Sequence, residues 1–234
     1  DENWVAMERY VRFVASFGGR TEFGKDWQYG DWLSFEKYES HQDWFRERQA
    51  LEDWWNYLGG CYLLRIAEAM DEMAKATGRK TEALYFGKLV RATRDRLRRD
   101  CFAADGLVDR RYRDLQTAHV FALACGLVEG AARTKTVECL VSLLKANGDR
   151  LKTGFLGTPL LLKALSDNGR TDYAYTLLLQ PECPGWLFQV DQGATTIWER
   201  WNSYTKKDGF ADSSMNSFNH YAYGCVLGWL YETA

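Results

Sequence analysis

TGFLGTPLLLKALSDNGRTDYAYTLLLQ, residues 153–180, reads as two short helices folded back on each other. Pro159 suits a first helical turn, where the N–H it lacks has no partner to lose. Leu161, Leu162 and Leu165 then recur at helical spacing, and Ala174, Leu177 and Leu178 resume the pattern after a break. The break is Asn168-Gly169, a pair suited to a left-handed helix end. Pro181 and Pro184 stop the second helix.

The same pattern extends in both directions. Upstream, helical stripes run through Trp4, Met7, Val11 and Val14; through Leu58, Tyr62, Ile66, Met70 and Met73; and through Ala83, Phe86, Val90, Thr93 and Leu97. Ala118, Phe121, Ala122 and Cys125 form a short fourth stripe, and Val137, Leu140, Val141 and Leu144 a fifth. The last is Phe218, Ala222, Cys225 and Trp229, with Asn216 placed to cap its helix. Gly78 and Asn147-Gly148 mark two more helix ends. The best strand candidate is the apolar run 186–190. About nine helices with no alternating strands define an all-α chain: a bundle, a solenoid or an α/α toroid. No repeat of fixed period occurs, which disfavours a regular solenoid. Residues 1–234 read as part of a single domain. Loops at 18–31, 181–194 and 202–216 are longer than the rest, and functional groups concentrate in such loops.

Composition narrows the function. Aromatic residues make up 15% of the chain, with ten tryptophans and thirteen tyrosines, more than a core requires. Flat amphipathic rings line sugar-binding clefts, because they stack on apolar pyranose faces. The formal net charge is −2, so no whole-chain feature points to nucleic acid. The basic run from Lys88 to Arg113 is interrupted by Asp95, Asp100 and Asp109, and reads as a solvated helix face. No apolar run reaches the ~18 residues of a membrane span. No leader opens the chain, so the compartment stays open and any secretion signal is expected outside it. Six scattered cysteines read as free thiols on apolar faces. Three histidines without a close pair offer no metal site, and no nucleotide or flavin fingerprint occurs, so no cofactor is expected.

Chemistry concentrates in QGATTIWERWNSY (192–204) and MNSFNHYAYG (215–224). Glu199 stands between Trp198 and Arg200, with Trp201 next. A carboxylate among indoles is partly desolvated and suits proton transfer, while the guanidinium would keep it ionised. The competing reading is a structural Glu–Arg pair on a short helix. His220, one turn into a helix begun at Asn216, is either a neutral hydroxyl-binding ring or a structural histidine. In YGDWL (29–33), Asp31 and Trp32 read either as a hydroxyl acceptor beside a stacking plate or as a cap on a helix starting at Trp32. Gln116, Thr117 and His119 read as a structural polar cluster.

Taken together, the 153–180, 192–204 and 215–224 blocks closely resemble bacterial α-L-rhamnosidases of glycoside hydrolase family 78. DENWVAMERYVRFV (1–14), YGDWL and LQTAHVFAL (115–123) resemble family segments more loosely. The resemblance implies an (α/α)6 toroid and inverting hydrolysis of terminal α-L-rhamnosides, with rhamnose-containing glycosides as partners. It implies Glu199 as the general base that activates water, His220 as a sugar-contacting histidine and Trp32 as a wall of the sugar pocket, with Asp31 beside it. Trp201 joins them as a candidate substrate contact. The family's general acid belongs to a D-x-P-x-R-E block ahead of all these segments. No copy occurs, and the nearest string, DWFRER at 43–48, lacks the proline and follows GDW. The expectation is a toroid incomplete at its N-terminal side, with the acid outside this chain and its exposed apolar faces pairing with a second copy. Competing functions are another toroid glycosidase or a lyase on acidic sugars, for which Arg200 alone is a poor basic cluster, and a non-catalytic sugar-binding fragment.

Overall fold

The computed structural model describes residues 2–17, 30–36, 48–211 and 216–233; residues 18–29 of the first long loop, with Tyr29, residues 43–47 and residues 212–215 lie outside them. The described residues form two compact units, drawn from Asp1–Gly30, Ser40–Tyr112 and Cys125–Leu127, and from Asp31–Glu39, Arg113–Ala124 and Val128–Ala234.

The first unit is built from α1 (Glu2–Ser16), α2 (Arg48–Ala76) and α3 (Lys80–Cys101). Helices α2 and α3 form a hairpin whose corner is a Schellman motif. Gly78 N donates to Lys75 O and Arg79 N to Ala74 O, with Gly78 at φ 72°. Its core joins Trp4 and Val11 of α1, Leu63, Met70 and Ala74 of α2, and Phe86 of α3. The α3 stripe is buried as its spacing predicts, at Phe86, Val90, Thr93 and Leu97. On α2, Leu58 and Met70 of the expected stripe are buried, together with Tyr57, Cys61, Leu64, Ala67 and Ala74, while Tyr62 and Met73 are exposed. The basic residues around α3 are engaged: Arg94 pairs with Glu68 at 2.5 Å and Arg98 donates to the carbonyls of Gly126 and Leu127.

The second unit contains α4 (Gln116–Ala124), α5 (Gly130–Ala146), α6 (Thr158–Ser166), α7 (Thr171–Leu178), α8 (Trp186–Asp191) and α9 (Val226–Thr233). Helix α4 packs on α5 and α6, α6 on α7, and α9 on α6. The quoted 153–180 stretch is the α6–α7 hairpin, and its corner repeats the Schellman pattern, Gly169 N to Ser166 O and Arg170 N to Leu165 O. Trp229 of α9 closes it with an indole N–H to Ser166 Oγ at 2.9 Å.

Two expectations are corrected here. Residues 186–190 are helical, inside α8, and end in a further Schellman motif in which Ala194 N donates to Gln189 O. Among the described residues the strands are elsewhere and short: β1 (Tyr204–Thr205) pairs antiparallel with β2 (Gly209–Phe210). No helix begins at Asn216. Its Nδ2 donates to Ser203 O instead of the side chain capping a helix, and helical geometry starts only with the 3-10 turn Ala222–Cys225. All six cysteines are free. Among the described residues, no helix is long and apolar enough to cross a membrane and no cluster of three metal-ligating side chains forms.

Candidate active site

Glu199 lies on an irregular segment, not on a helix. The W-E-R-W spacing sends two indoles inward and leaves the carboxylate at the surface between them. Trp198 is buried, edge-on to Phe218 at 5.3 Å. Trp201 is buried too, stacked on Tyr223 at 3.9 Å and edge-on to Trp186 at 5.1 Å. The turn that follows is closed by Ser203, whose hydroxyl bridges the Arg200 amide and carbonyl, and Gln189 Nε2 donates to the same carbonyl at 3.0 Å.

A second irregular segment, 216–220, runs beside this one. Glu199 N donates to Ser217 O at 2.9 Å, and His220 N to Ile197 O at 2.9 Å. Ser217 N returns a hydrogen bond to Glu199 Oε2 at 2.8 Å. That amide fixes one carboxylate oxygen. The other takes no hydrogen bond from a described residue, and the side chain is half-buried.

His220 is half-buried and sandwiched between Phe155, at 4.8 Å, and Tyr221, stacked at 5.2 Å. Ala222 N donates to His220 Nδ1 at 3.3 Å. A nitrogen that accepts carries no proton, so the neutral ring has its N–H at Nε2, available to a hydroxyl.

Phe155 belongs to the 153–159 segment TGFLGTP and connects His220 to the 31–36 segment, because its amide donates to Trp32 O at 2.9 Å. Trp32 is half-buried there. Asp31 is not a free hydroxyl acceptor. It is 5% exposed, and its oxygens accept from Thr117 Oγ1 at 2.5 Å, Gly154 N at 2.8 Å, Leu156 N at 2.7 Å and Gly157 N at 3.0 Å. Those four donors use both lone pairs of each oxygen, which leaves none for a sugar. Burial raises its pKa against the pull of the same hydrogen bonds. No helix starts at Trp32; residues 31–34 form a turn, Ser34 N to Asp31 O, with Leu33 at φ 57°.

The glycines of TGFLGTP permit this arrangement. A Cβ at Gly154 would overlap the carbonyl oxygens of Asp31 and Trp32. A Cβ at Gly157 would sit 2.7 Å from Thr117 Oγ1 and 2.9 Å from Asp31 Oδ2.

The segment that carries Glu199 is thus bonded to the one that carries His220, whose ring packs on Phe155, and Phe155 is bonded to the backbone at Trp32. Trp201 does not join them. At 1% exposure it offers no face to a ligand, and it serves as the anchor that turns Glu199 outward. Of the Gln116–Thr117–His119 cluster, Gln116 and His119 are structural: Gln116 bridges Arg150 O and Lys152 N, and the buried His119 bonds Arg113 O. Local sequence does not single out Phe155 or Ser217. An aromatic between two glycines was the available signal for Phe155, and nothing marked Ser217.

Helical hairpins that present a carboxylate and a histidine on irregular segments, backed by stacked rings, have the build of an all-α glycosidase domain. The chain belongs to the bacterial α-L-rhamnosidase six-hairpin glycosidase domain family, whose model matches residues 1–234. It is 38% identical over 203 residues to an α-L-rhamnosidase of Streptomyces avermitilis, covering 87% of this chain and 18% of that protein. It is 47% identical over 120 residues to one of Alteromonas sp. (strain LOR), covering 51% of this chain and 13% of that protein. The crystal structure of the S. avermitilis α-L-rhamnosidase complexed with L-rhamnose superposes with a TM-score of 0.82 at 34% identity, over 98% of this chain and 20% of that one. The chain therefore spans a fifth or less of the length of these relatives.

Proposed function

We propose that this chain carries the water-activating half of the active site of an α-L-rhamnosidase that inverts configuration at terminal α-L-rhamnosides. Glu199 is the general base, and Trp32 and His220 bind the sugar. The observation that carries the reading is the state of the Glu199 carboxylate. It is half-buried, with Oε2 held by the Ser217 amide and Oε1 unclaimed by any described residue. A base needs this combination: one oxygen fixed for aim, the other available to accept a proton from water. The His220 Nε2–H, on the segment bonded to that of Glu199, can hold a hydroxyl. Inversion places the acid on the opposite face of the sugar, ~6.5–9.5 Å from the base, so that water fits between them. The family's acid block is absent from the chain, so the acid comes from elsewhere in the intact protein.

Glu199→Gln keeps an oxygen for the Ser217 amide and removes the basicity. In the intact protein, kcat on an aryl α-L-rhamnoside should fall by about 10³ or more, since general-base assistance alone contributes 10²–10⁴. Calorimetric binding of free rhamnose should persist. A variant within tenfold of the unaltered enzyme removes Glu199 from the mechanism. Proton NMR at early turnover should show the β-anomer of rhamnose first.

A further inference from the structure

We propose that Asp31 and Thr117 form a positioning pair that sets the Phe155 and His220 rings for substrate binding, without touching the sugar. The proposal rests on the rhamnosidase reading above for its catalytic consequence. The hold itself stands on geometry.

Asp31 fastens three separate pieces of chain at one point: its own turn, the first residues of α4 through Thr117, and the 154–157 backbone. Phe155 lies inside the part it grips, between the bonded amides of Gly154 and Leu156. Its own amide is tied to Trp32 O, and its ring packs against His220 at 4.8 Å. A shift of 153–157 therefore displaces one wall of the His220 sandwich. Burying a carboxylate is unfavourable unless its partners compensate, so four donors converging on a 5% exposed group mark a site where placement is specified closely. The two glycines keep that placement free of any side chain that could substitute for the carboxylate as a spacer.

Thr117 is the decisive position for a test because it is 0% exposed and cannot reach a ligand. Thr117→Val removes one donor to Asp31 Oδ2 at nearly constant volume, and Thr117→Ser restores it. In the intact protein, Thr117→Val should raise KM for an aryl rhamnoside, and Kd for rhamnose, by about tenfold, within the up to ~10²-fold that a small misplacement of site groups costs. kcat should stay within about threefold, because Glu199 is held independently through Ser217. Thr117→Ser should return KM to the unaltered value. Phe155→Leu keeps all four bonds to Asp31 while removing the ring from His220, and should reproduce the KM change even where Thr117→Val folds poorly. Two readouts do not need turnover. Amide exchange at 154–157 should quicken in Thr117→Val, and the ring-current shift of isotope-labelled His220 should move.

Unchanged exchange and an unchanged His220 signal in Thr117→Val would overturn the positioning pair. So would faster exchange with KM unaltered, which would make the bonds merely structural. Asp31→Asn abolishing rhamnose binding while Phe155→Leu and Thr117→Val bind normally would make Asp31 a direct contact. An unaltered intact protein that neither hydrolyses rhamnosides nor binds rhamnose would sink the rhamnosidase reading, and the exchange and His220 signals would still decide the hold.

Discussion

Glu36 is a buried carboxyl whose Oε1 accepts from the Gln116 and Thr117 amides at the start of α4, while Oε2 has no partner among the described residues. Burial pushes its pKa up to about 8, with the nearby Asp31 carboxylate adding to the rise. Between its ordinary value of 4.5 and 8, the folded state therefore holds a proton that the unfolded state has released. Stability must fall as pH rises through that window, and the penalty is complete above the folded pKa. Glu36→Gln keeps an oxygen for the two amides and has nothing to ionise. The melting temperature of the unaltered protein should drop by a few degrees more than that of Glu36→Gln between pH 5 and 8.5, read by thermal denaturation in matched buffers. Parallel curves would show that Glu36 is ionised at neutral pH. At this scale the sequence is a partial guide. W-E-R-W marks Glu199 by its company but does not say which indoles turn inward, so Trp201 reads as a contact when it is an anchor. Asp31 is conspicuous beside Trp32, yet its role is set by donors at 117 and 154–157, which local spacing cannot reveal.

Helix ends are the most legible elements of this chain. Gly78, Gly148 and Gly169, marked from sequence, all occupy Schellman corners at φ 68–73°. Stripes at 86–97 and 137–144 are buried as spaced, at Phe86, Val90, Thr93 and Leu97 and at Val137, Leu140, Val141 and Leu144, because apolar residues recur there on one face. On α2, Leu58 and Met70 are buried as spaced but Tyr62 and Met73 are exposed, and Cys61, Ala67 and Ala74, whose small side chains give a weak hydropathy signal, share the packed face. Run 186–190 is too short for its apolar residues to distinguish strand from helix. The glycines of the 153–159 segment make a sharper prediction at this scale. Gly154→Ala drives a Cβ into backbone atoms of the 31–34 turn, which have no rotamer with which to yield. It should destabilise the protein by about 2–4 kcal/mol, at the upper end for overpacking. Gly228 of α9 is the control: a Cβ there meets nothing within 4 Å, and helix propensity favours Ala by up to ~1 kcal/mol. Denaturant midpoints should therefore move in opposite directions. A neutral Gly154→Ala would mean that the 31–34 turn is not held against 154.

The whole molecule poses a question of completeness of chemistry, since the chain spans 18% of one relative and 13% of another. Helix α1 leaves Val5, Tyr10 and Phe13 at least half exposed, so the 234-residue chain made by itself should self-associate in sedimentation velocity, and a monodisperse monomer would contradict that. Activity is the more informative comparison. With Glu199 proposed as the base, a departing alkoxide also needs a proton, and no acid block accompanies Glu199 in this sequence. The deficit should therefore depend on the leaving group. With a nitrophenyl rhamnoside, whose phenolate leaves without much help, the isolated chain should lose the smaller part of its rate. With an alkyl rhamnoside, which depends on protonation, the loss relative to the intact protein should be larger by a further factor of about 10²–10⁴, the range that a positioned general acid contributes. Equal losses on both substrates would indicate a chain that fails to bind sugar at all. Comparable turnover of the alkyl substrate by the isolated chain would place the acid within these 234 residues. The exposed carboxyl of Asp191 and the side chain of Asp212 would then be the first to replace.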